Sequence, residues 1–273
     1  THLNLPERLK NKVDYTDPLA PPGKPFRPFY NNTILYNGQP IALVVAESFE
    51  QARYASKLIK VTYEEKKFKG SLAENLKNAS ADRAPEPAKN RGNFTKAFKN
   101  SDYTIIREYR QSRNYHNPME PHATSVEYNS DGNIVVYDKI QGVASSLKYL
   151  KGVFGLGADS VRVKSDFVGG AFGSGLRPQY QLFMATLAAL ELKHNVQMVM
   201  TRAQMFSFGY RPEVIHTMKL GCSKDGTLTA LSHKTVGETS TFEDFNETIV
   251  DWSGLLYKCD NVNLEYELTP VQS

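Results

Sequence analysis

The chain has 273 residues, 40% hydrophobic and 23% charged, with a formal net charge of +4. This is the composition of a water-soluble globular protein with material for one large or two small domains. The mild, interleaved charge forms no basic stripe of the kind that nucleic-acid binding needs, and no apolar run approaches the ~18 residues of a membrane helix. A soluble location, cytoplasmic or periplasmic, is expected. The cysteines, Cys222 and Cys259, match no metal-ligand spacing; they read as two thiols, with a disulfide left open. Thr1-His2-Leu3-Asn4 carries no signal-peptide pattern and no initiator Met, which a processed terminus or an excised boundary explains equally well.

Residues 1–30 contain Pro18, Pro21, Pro22, Pro25 and Pro28. Proline fixes φ and removes a donor, so the segment reads as extended and irregular. Order is expected from Thr33. Ile41-Ala42-Leu43-Val44-Val45-Ala46 predicts a buried strand. Ser48-Phe49-Glu50-Gln51 has the form of a capping box, with Ser48 as N-cap and Gln51 at N3, and predicts a helix to about Ile59 and a strand over 60–64. Residues 65–101 read as a connector. The stretch 81–90 has two prolines, alternating charge and little to bury, so the domain boundary is placed there.

Strands follow over 103–110 and 123–128. Asn129-Ser130-Asp131-Gly132 is a turn signal, with a return strand over 134–137. The pattern recurs as a strand over 217–222, the turn Ser223-Lys224-Asp225-Gly226, and a strand from Thr227 to Leu231. Glycine suits both turns because it adopts positive φ without a Cβ clash. Between the hairpins the sequence predicts a helix over 143–154, a strand over 160–164, a glycine-rich loop, and a helix over 179–194 whose apolar surface is too broad for a single stripe. The fold class is α/β (α+β), with mixed sheets and packed helices.

The sharpest local feature is Phe167-Val168-Gly169-Gly170-Ala171-Phe172-Gly173-Ser174-Gly175, between a predicted strand and a predicted helix. Its glycines let the backbone approach a ligand and aim several N–H groups at it, and the helix start behind it favours negative charge. It is neither a Walker A loop nor Gly-x-Gly-x-x-Gly, and a ligand-free connection with Phe172 in the core is the alternative. Gln141 stands at a strand-to-helix junction, where α/β folds often place ligand contacts; it is either a donor to an oxo group or an exposed or structurally satisfied glutamine. Met119-Glu120-Pro121-His122 offers a carboxylate and an imidazole, the materials of general acid–base chemistry. The plainer reading is that Glu120 orders a loop and His122 is hydrogen-bonded or at the surface. No metal cluster and no nucleophile elbow is found.

The order of the motifs adds more. Gln39-Pro40-Ile41-Ala42-Leu43-Val44-Val45-Ala46-Glu47-Ser48 is followed by Ala52-Arg53, Val61-Thr62-Tyr63-Glu64 and Met119-Glu120-Pro121-His122-Ala123. Gln141 then leads into a helix, and Gly169-Gly170-Ala171-Phe172-Gly173 closes the set. Over nearly its whole length the series resembles the molybdenum hydroxylases, the aldehyde oxidase and xanthine dehydrogenase family, and among them the bacterial aldehyde oxidoreductases.

The resemblance implies a molybdenum–pterin cofactor, with the residue matching Gln141 facing a molybdenum oxo group. Gly170, Ala171, Phe172 and Gly173 would lie against the metal's ligands through backbone amides. No residue is implied as a direct metal ligand. Such enzymes insert a water-derived oxygen at a carbon bearing hydrogen, with a glutamate as base, and electrons leave through iron–sulfur clusters to a flavin; the corresponding partners are an iron–sulfur subunit and an FAD subunit or domains. Leu176 occupies a position where purine-oxidising relatives carry a glutamate, which points to a small-molecule aldehyde as substrate, with N-heterocycles as the alternative. Ala171 and Ser174 replace glycines of the family's usual loop, and Gly175 stands where lysine is common. The family's catalytic glutamate lies beyond Ser273.

The resemblance thus assigns 1–80 to a partial small α/β, hammerhead-like domain, 81–100 to a connector, and 101–273 to the first part of the cofactor-binding domain. Taken alone, the chain is expected to lack activity. A non-catalytic binding or assembly module derived from the family, and a generic phosphate-binding α/β domain, are the rival readings.

Overall fold

The computed structural model describes residues 28–29, 32–87, 90–207, 209–241, 245, 247 and 249–272. The proline-rich stretch 1–27 lies outside the described residues. The chain divides into two compact units, Thr1–Lys66 with Tyr115–Tyr210, and Lys67–Asn114 with Arg211–Ser273.

The first unit is built on a four-stranded sheet in the order Val161–Lys164, Ile134–Asp138, Ala123–Tyr128, Val196–Val199. Ala123–Tyr128 and Ile134–Asp138 pair antiparallel, with Tyr128 opposite Ile134 and Thr124 opposite Asp138. The expected turn joins them: Gly132 N–H donates to Asn129 O at 2.9 Å, and Gly132 has φ 84°. Ile134–Asp138 and Val161–Lys164 are parallel, so the chain crosses between them through the helix Val143–Phe154. This helix buries Tyr149, Leu150, Val153 and Phe154 and ends on Gly155 in the left-handed region, the usual stop for a helix. In Tyr180–Leu192 every residue from Gln181 to Ala189 is buried, as its broad apolar surface predicts. Phe154 and Phe183 stack with ring centroids 5.4 Å apart, at the centre of a core shared with Val126, Ile134, Val136 and Val161.

The N-terminal helix forms with both arms of its capping box, as Phe49–Lys57. The strands expected on either side of it do not form: neither 41–46 nor 60–64 joins a ladder. Ile41 is 42% and Val61 42% exposed. An apolar run becomes a strand only where a partner takes up its N–H and C=O groups, and a lone strand gains little by itself.

The second unit carries a sheet in the order Tyr103–Gln111, Val214–Cys222, Leu228–Ser240, Val262–Val271. The first three strands are antiparallel. The turn at Ser223–Gly226 joins two of them, with Gly226 N–H donating to Ser223 O at 2.9 Å. Val262–Val271 runs parallel to Leu228–Ser240, and the helix Ile249–Leu256 makes the crossover. A Cβ on Gly254 would come within 2.9 Å of Leu264 Cδ1, so glycine lets that helix sit close on the sheet. Leu231, Val250, Cys259, Val262, Leu264, Tyr266 and Leu268 form the core. Both cysteines are free thiols.

The stretch expected to be a bare connector is structured. It holds the short helices Leu72–Asn75 and Phe94–Lys99. Isolated bridges tie Ser80 to Leu268 and Arg91 to Val262. Arg91 donates from Nε to Cys259 O at 2.7 Å and from Nη2 to Gly254 O at 2.9 Å. It thereby satisfies the Gly254 carbonyl, which the end of the 249–256 helix leaves open, together with the Cys259 carbonyl just beyond that helix. One charged side chain does what apolar content would otherwise have to do.

Candidate functional site

In the first unit the parallel strands Ile134–Asp138 and Val161–Lys164 both end at the same edge of the sheet. Gln141 follows the first and the glycine loop follows the second, which is where α/β sheets place ligands. The two are paired directly. Gln141 N–H donates to Gly175 O at 2.8 Å, and Gly175 N–H donates to Gln141 Oε1 at 3.2 Å. A Cβ on Gly175 would lie 3.3 Å from Gln141 N, so a glycine permits this approach. Oε1 thus accepts from the loop, and the Nε2 donors of this exposed residue have no acceptor among the described residues.

The loop is a succession of tight turns. Ser174 donates to Ala171 O from both N (2.9 Å) and Oγ (2.8 Å), and Leu176 N–H donates to Gly173 O at 3.1 Å. Positive φ falls on Gly170 (85°), Phe172 (55°) and Gly173 (96°). Ala171 and Ser174, the substitutions in the family's loop, avoid that region. Phe172 does not, at a cost of about 1–2 kcal/mol, and its ring is 77% exposed rather than in the core. The turns use the N–H groups of Ser174, Gly175 and Leu176. Those of Gly170, Ala171, Phe172 and Gly173 have no acceptor among the described residues. They are the residues that sequence reasoning assigned to the cofactor. Leu176 is 59% exposed on the same loop.

Glu120 anchors the start of the loop. Its N–H donates to Gly169 O at 3.2 Å and its Oε2 accepts from Gly169 N–H. Ordering a loop is therefore the role the structure gives it. His122 is buried, not at the surface. Burial, then Lys139 and His116, push its imidazole down to about 4, so it is neutral near pH 7 and too weak a base for acid–base work there.

Sequence reasoning missed two supports. Arg202 donates to Asn117 Oδ1 (2.8 Å), Pro118 O and Met119 O (2.6 Å), holding the turn that leads to Glu120. Asp138 accepts from Thr124 Oγ1 at 2.7 Å and Ser146 Oγ at 2.9 Å, locking the strand end before Gln141 to the helix after it. Burial pushes its carboxyl up, and these hydroxyls oppose the shift. Neither residue belongs to a local motif; the Asp138 bond to Ser146 at short spacing is the one trace a sequence offers.

A row of unused N–H groups, glycines at positive φ and an outward amide suits an anionic group bearing oxygen or sulfur. Comparisons with known proteins agree. A family model described as the molybdopterin cofactor-binding domain matches residues 77–269, and one described as the aldehyde oxidase and xanthine dehydrogenase a/b hammerhead domain matches residues 1–67. The chain belongs to the molybdenum hydroxylase family, as part of its molybdopterin-binding region. It is 32% identical over 232 residues to the aldehyde oxidoreductase molybdenum-binding subunit PaoC of Escherichia coli (strain K12), covering 82% of this chain and 31% of that protein. Xanthine dehydrogenase of Dictyostelium discoideum is 27% identical over 242 residues, 86% of this chain and 18% of its own length. The chain thus spans about a third or less of these relatives.

Two solved structures share the fold. Quinoline 2-oxidoreductase from Pseudomonas putida 86 has a TM-score of 0.71 at 18% identity, over 84% of this chain and 31% of that one. Aldehyde oxidoreductase from Desulfovibrio gigas has 0.66 at 22% identity, over 83% and 26%. Among the described residues no helix is long and apolar enough to cross a membrane, and no group of His, Cys, Asp and Glu is set to hold a metal ion.

Proposed function

We propose that this chain is part of the large subunit of a molybdenum hydroxylase acting on aldehydes, with iron–sulfur and FAD partners carrying the electrons away. The N-terminal part supplies a hammerhead-like segment and the remainder the first part of the cofactor-binding domain. When bound, the molybdenum–pterin cofactor supplies the oxygen-transfer and redox chemistry, and the protein binds and orients it. Gly170, Ala171, Phe172 and Gly173 offer main-chain donors to its anionic periphery. Gln141 offers a side-chain donor, preorganised because Gly175 already fixes its other amide atom. Glu120 and Arg202 hold the loop and the preceding turn in place. The observation that supports the reading is the Gln141–Gly175 pair, which ties Gln141 to the loop that bears the unused N–H groups.

The test is metal and pterin analysis of the full-length subunit isolated with its partners. Stoichiometric molybdenum is expected, and its absence from a folded complex would refute the reading. Substrate class follows from Leu176, which offers an apolar surface and no hydrogen-bond acceptor. A site built around polar contacts rejects substrates lacking them far better than an apolar site rejects polar ones. Aldehydes, aromatic ones included, are expected to show a higher kcat/KM than hypoxanthine on the intact complex; a purine preference would overturn this assignment alone.

A further inference from the structure

Lys139 stands between Asp138 and Ile140 at the end of a central strand, two positions before Gln141. It is 5% exposed, and its Nζ is buried with no hydrogen-bond partner among the described residues. Lysine is seldom buried unless paired, and an ammonium has three donors to satisfy. The carboxylates whose charges it feels are Glu120 and Asp138. Neither bonds its Nζ: Glu120 Oε2 accepts from Gly169 N–H, and Asp138 takes the Thr124 and Ser146 hydroxyls. Burial draws the Lys139 ammonium below the usual lysine range, against the pull of those carboxylates. Its main chain is fixed, with Lys139 N–H donating to Ala123 O at 3.0 Å.

The surroundings indicate what the amine serves. Glu120, within its electrostatic reach, is bonded to the first glycine of the loop. The N–H groups that follow, from Gly170 to Gly173, also have no acceptor. A buried cation without a partner and four loop N–H groups without an acceptor among the described residues, three of them on buried or half-buried residues and that of Phe172 on an exposed one, share a single remedy, which is an anion.

We propose that Lys139 is an anion-binding residue of the cofactor site, its amine and the Gly170–Gly173 amides together receiving an oxyanionic group of the molybdenum–pterin cofactor. This rests on the reading above. A free aldehyde carries no such charge, so the ligand is the cofactor and not the substrate.

The inference predicts opposite effects in the empty and loaded protein. Lys139→Met keeps the volume and removes the buried charge. In full-length subunit made by a host unable to synthesise the cofactor, the variant is expected to melt at a higher temperature than wild type. In a competent host it is expected to retain about tenfold less molybdenum and pterin, the scale of one lost charged hydrogen bond. Lys139→Arg, which keeps the charge, should retain most of both. Inorganic phosphate, used as a probe on the empty protein, should raise the melting temperature of wild type and Lys139→Arg but not of Lys139→Met.

If Lys139→Met lowers the melting temperature of empty and loaded protein alike and leaves cofactor content unchanged, the amine is only the counter-charge of Glu120 and the proposal falls. Unchanged content and an unchanged phosphate response would overturn it equally. Wild-type subunit from a competent host that carries neither molybdenum nor pterin would instead refute the reading of the whole site.

Discussion

In the unit that carries Gln141, polar groups at the ends of the parallel strands are left open: the amides of Gly170–Gly173, the outward Nε2 of Gln141 and the amine of Lys139. In the unit built on the 228–240 strand, comparable groups close on one another. Glu238, whose side chain is fully buried, receives Nε and Nη2 of Arg113 at 2.5 and 2.6 Å and the N–H of Glu213 at 2.9 Å. Arg113 Nη2 also donates to Gly70 O at 2.7 Å. His216 and His233 meet at 3.0 Å, and His233 Nδ1 lies 2.8 Å from Ser253 Oγ. An unpaired buried donor costs free energy and a satisfied network does not. On the reading proposed above, the contrast separates a region shaped around something it receives from a region shaped around itself.

The largest test of that contrast concerns the 273-residue chain by itself. On the proposed reading its open donors would cover one face of a large anionic ligand, and each desolvated polar group left unpaired costs about 1–3 kcal/mol. By resemblance the base lies outside this stretch, and general-base assistance is typically worth ~10²–10⁴ in rate. Elemental analysis of the purified chain should find little molybdenum, and an assay with an artificial electron acceptor should find no aldehyde oxidation. Stoichiometric metal with turnover would show that the open face suffices.

Next comes the closed region. Arg113→Ala strands the Glu238 carboxylate in the interior. Breaking one partner of a buried pair typically costs about 3–5 kcal/mol, and a loss of that size is expected in denaturant unfolding. A loss under 1 kcal/mol would mean that the network is ornamental to the unit's stability.

Acid should also discriminate. The imidazole of His233 is pushed down to about 4, chiefly by burial and then by His216, and His216 is itself lowered by burial while Glu247 opposes the shift. The unfolded chain binds a proton near pH 6.5, so stability is fully present above that value. It is lost as pH falls from about 6.5 toward 4, by on the order of 3 kcal/mol for His233. His122 in the open unit behaves alike. His233→Gln should flatten the part of the acid profile that reports on the closed unit; a profile identical to wild type would remove His233 from the account.

Where the sequence was legible, its signals were local. The capping box at Ser48 and Gln51 formed, both Asp-Gly turns closed antiparallel pairs, and the crossover helix runs over the residues that its periodicity and the following glycine mark. What was not legible depends on partners distant in the chain. The apolar runs at 41–46 and 60–64 look like strands but have no ladder to join. The 262–271 strand and the 249–256 helix were not read at all, because their meaning is a parallel pairing with residues 231–240. In the site, the glycine loop and Gln141 were visible as types of residue in a type of place. Arg202, Asp138 and Lys139 were not, since a lone charged residue carries no sign of what it will face.

The smallest effect tests the division at a single side chain. Gln141 has two amide atoms to use: Oε1 accepts from Gly175 N–H at 3.2 Å, and Nε2 has no hydrogen-bond partner among the described residues. Gln141→Ala removes both, yet the main-chain bond from Gln141 N to Gly175 O at 2.8 Å remains. The residue is exposed, so the melting temperature should hardly change. Turnover in the intact, fully metallated complex should fall about tenfold or more, roughly 1.4 kcal/mol of barrier. Gln141→Glu separates the roles. Its carboxylate still accepts from Gly175 N–H but has no donor to offer outward, and it adds negative charge beside donors that await an anion. If the outward amide is what matters, Gln141→Glu should be at least as slow as Gln141→Ala while the loop stays in place. Wild-type turnover in a fully metallated Gln141→Glu would mean that Gln141 only braces the loop, and that the open face is made by the main chain alone.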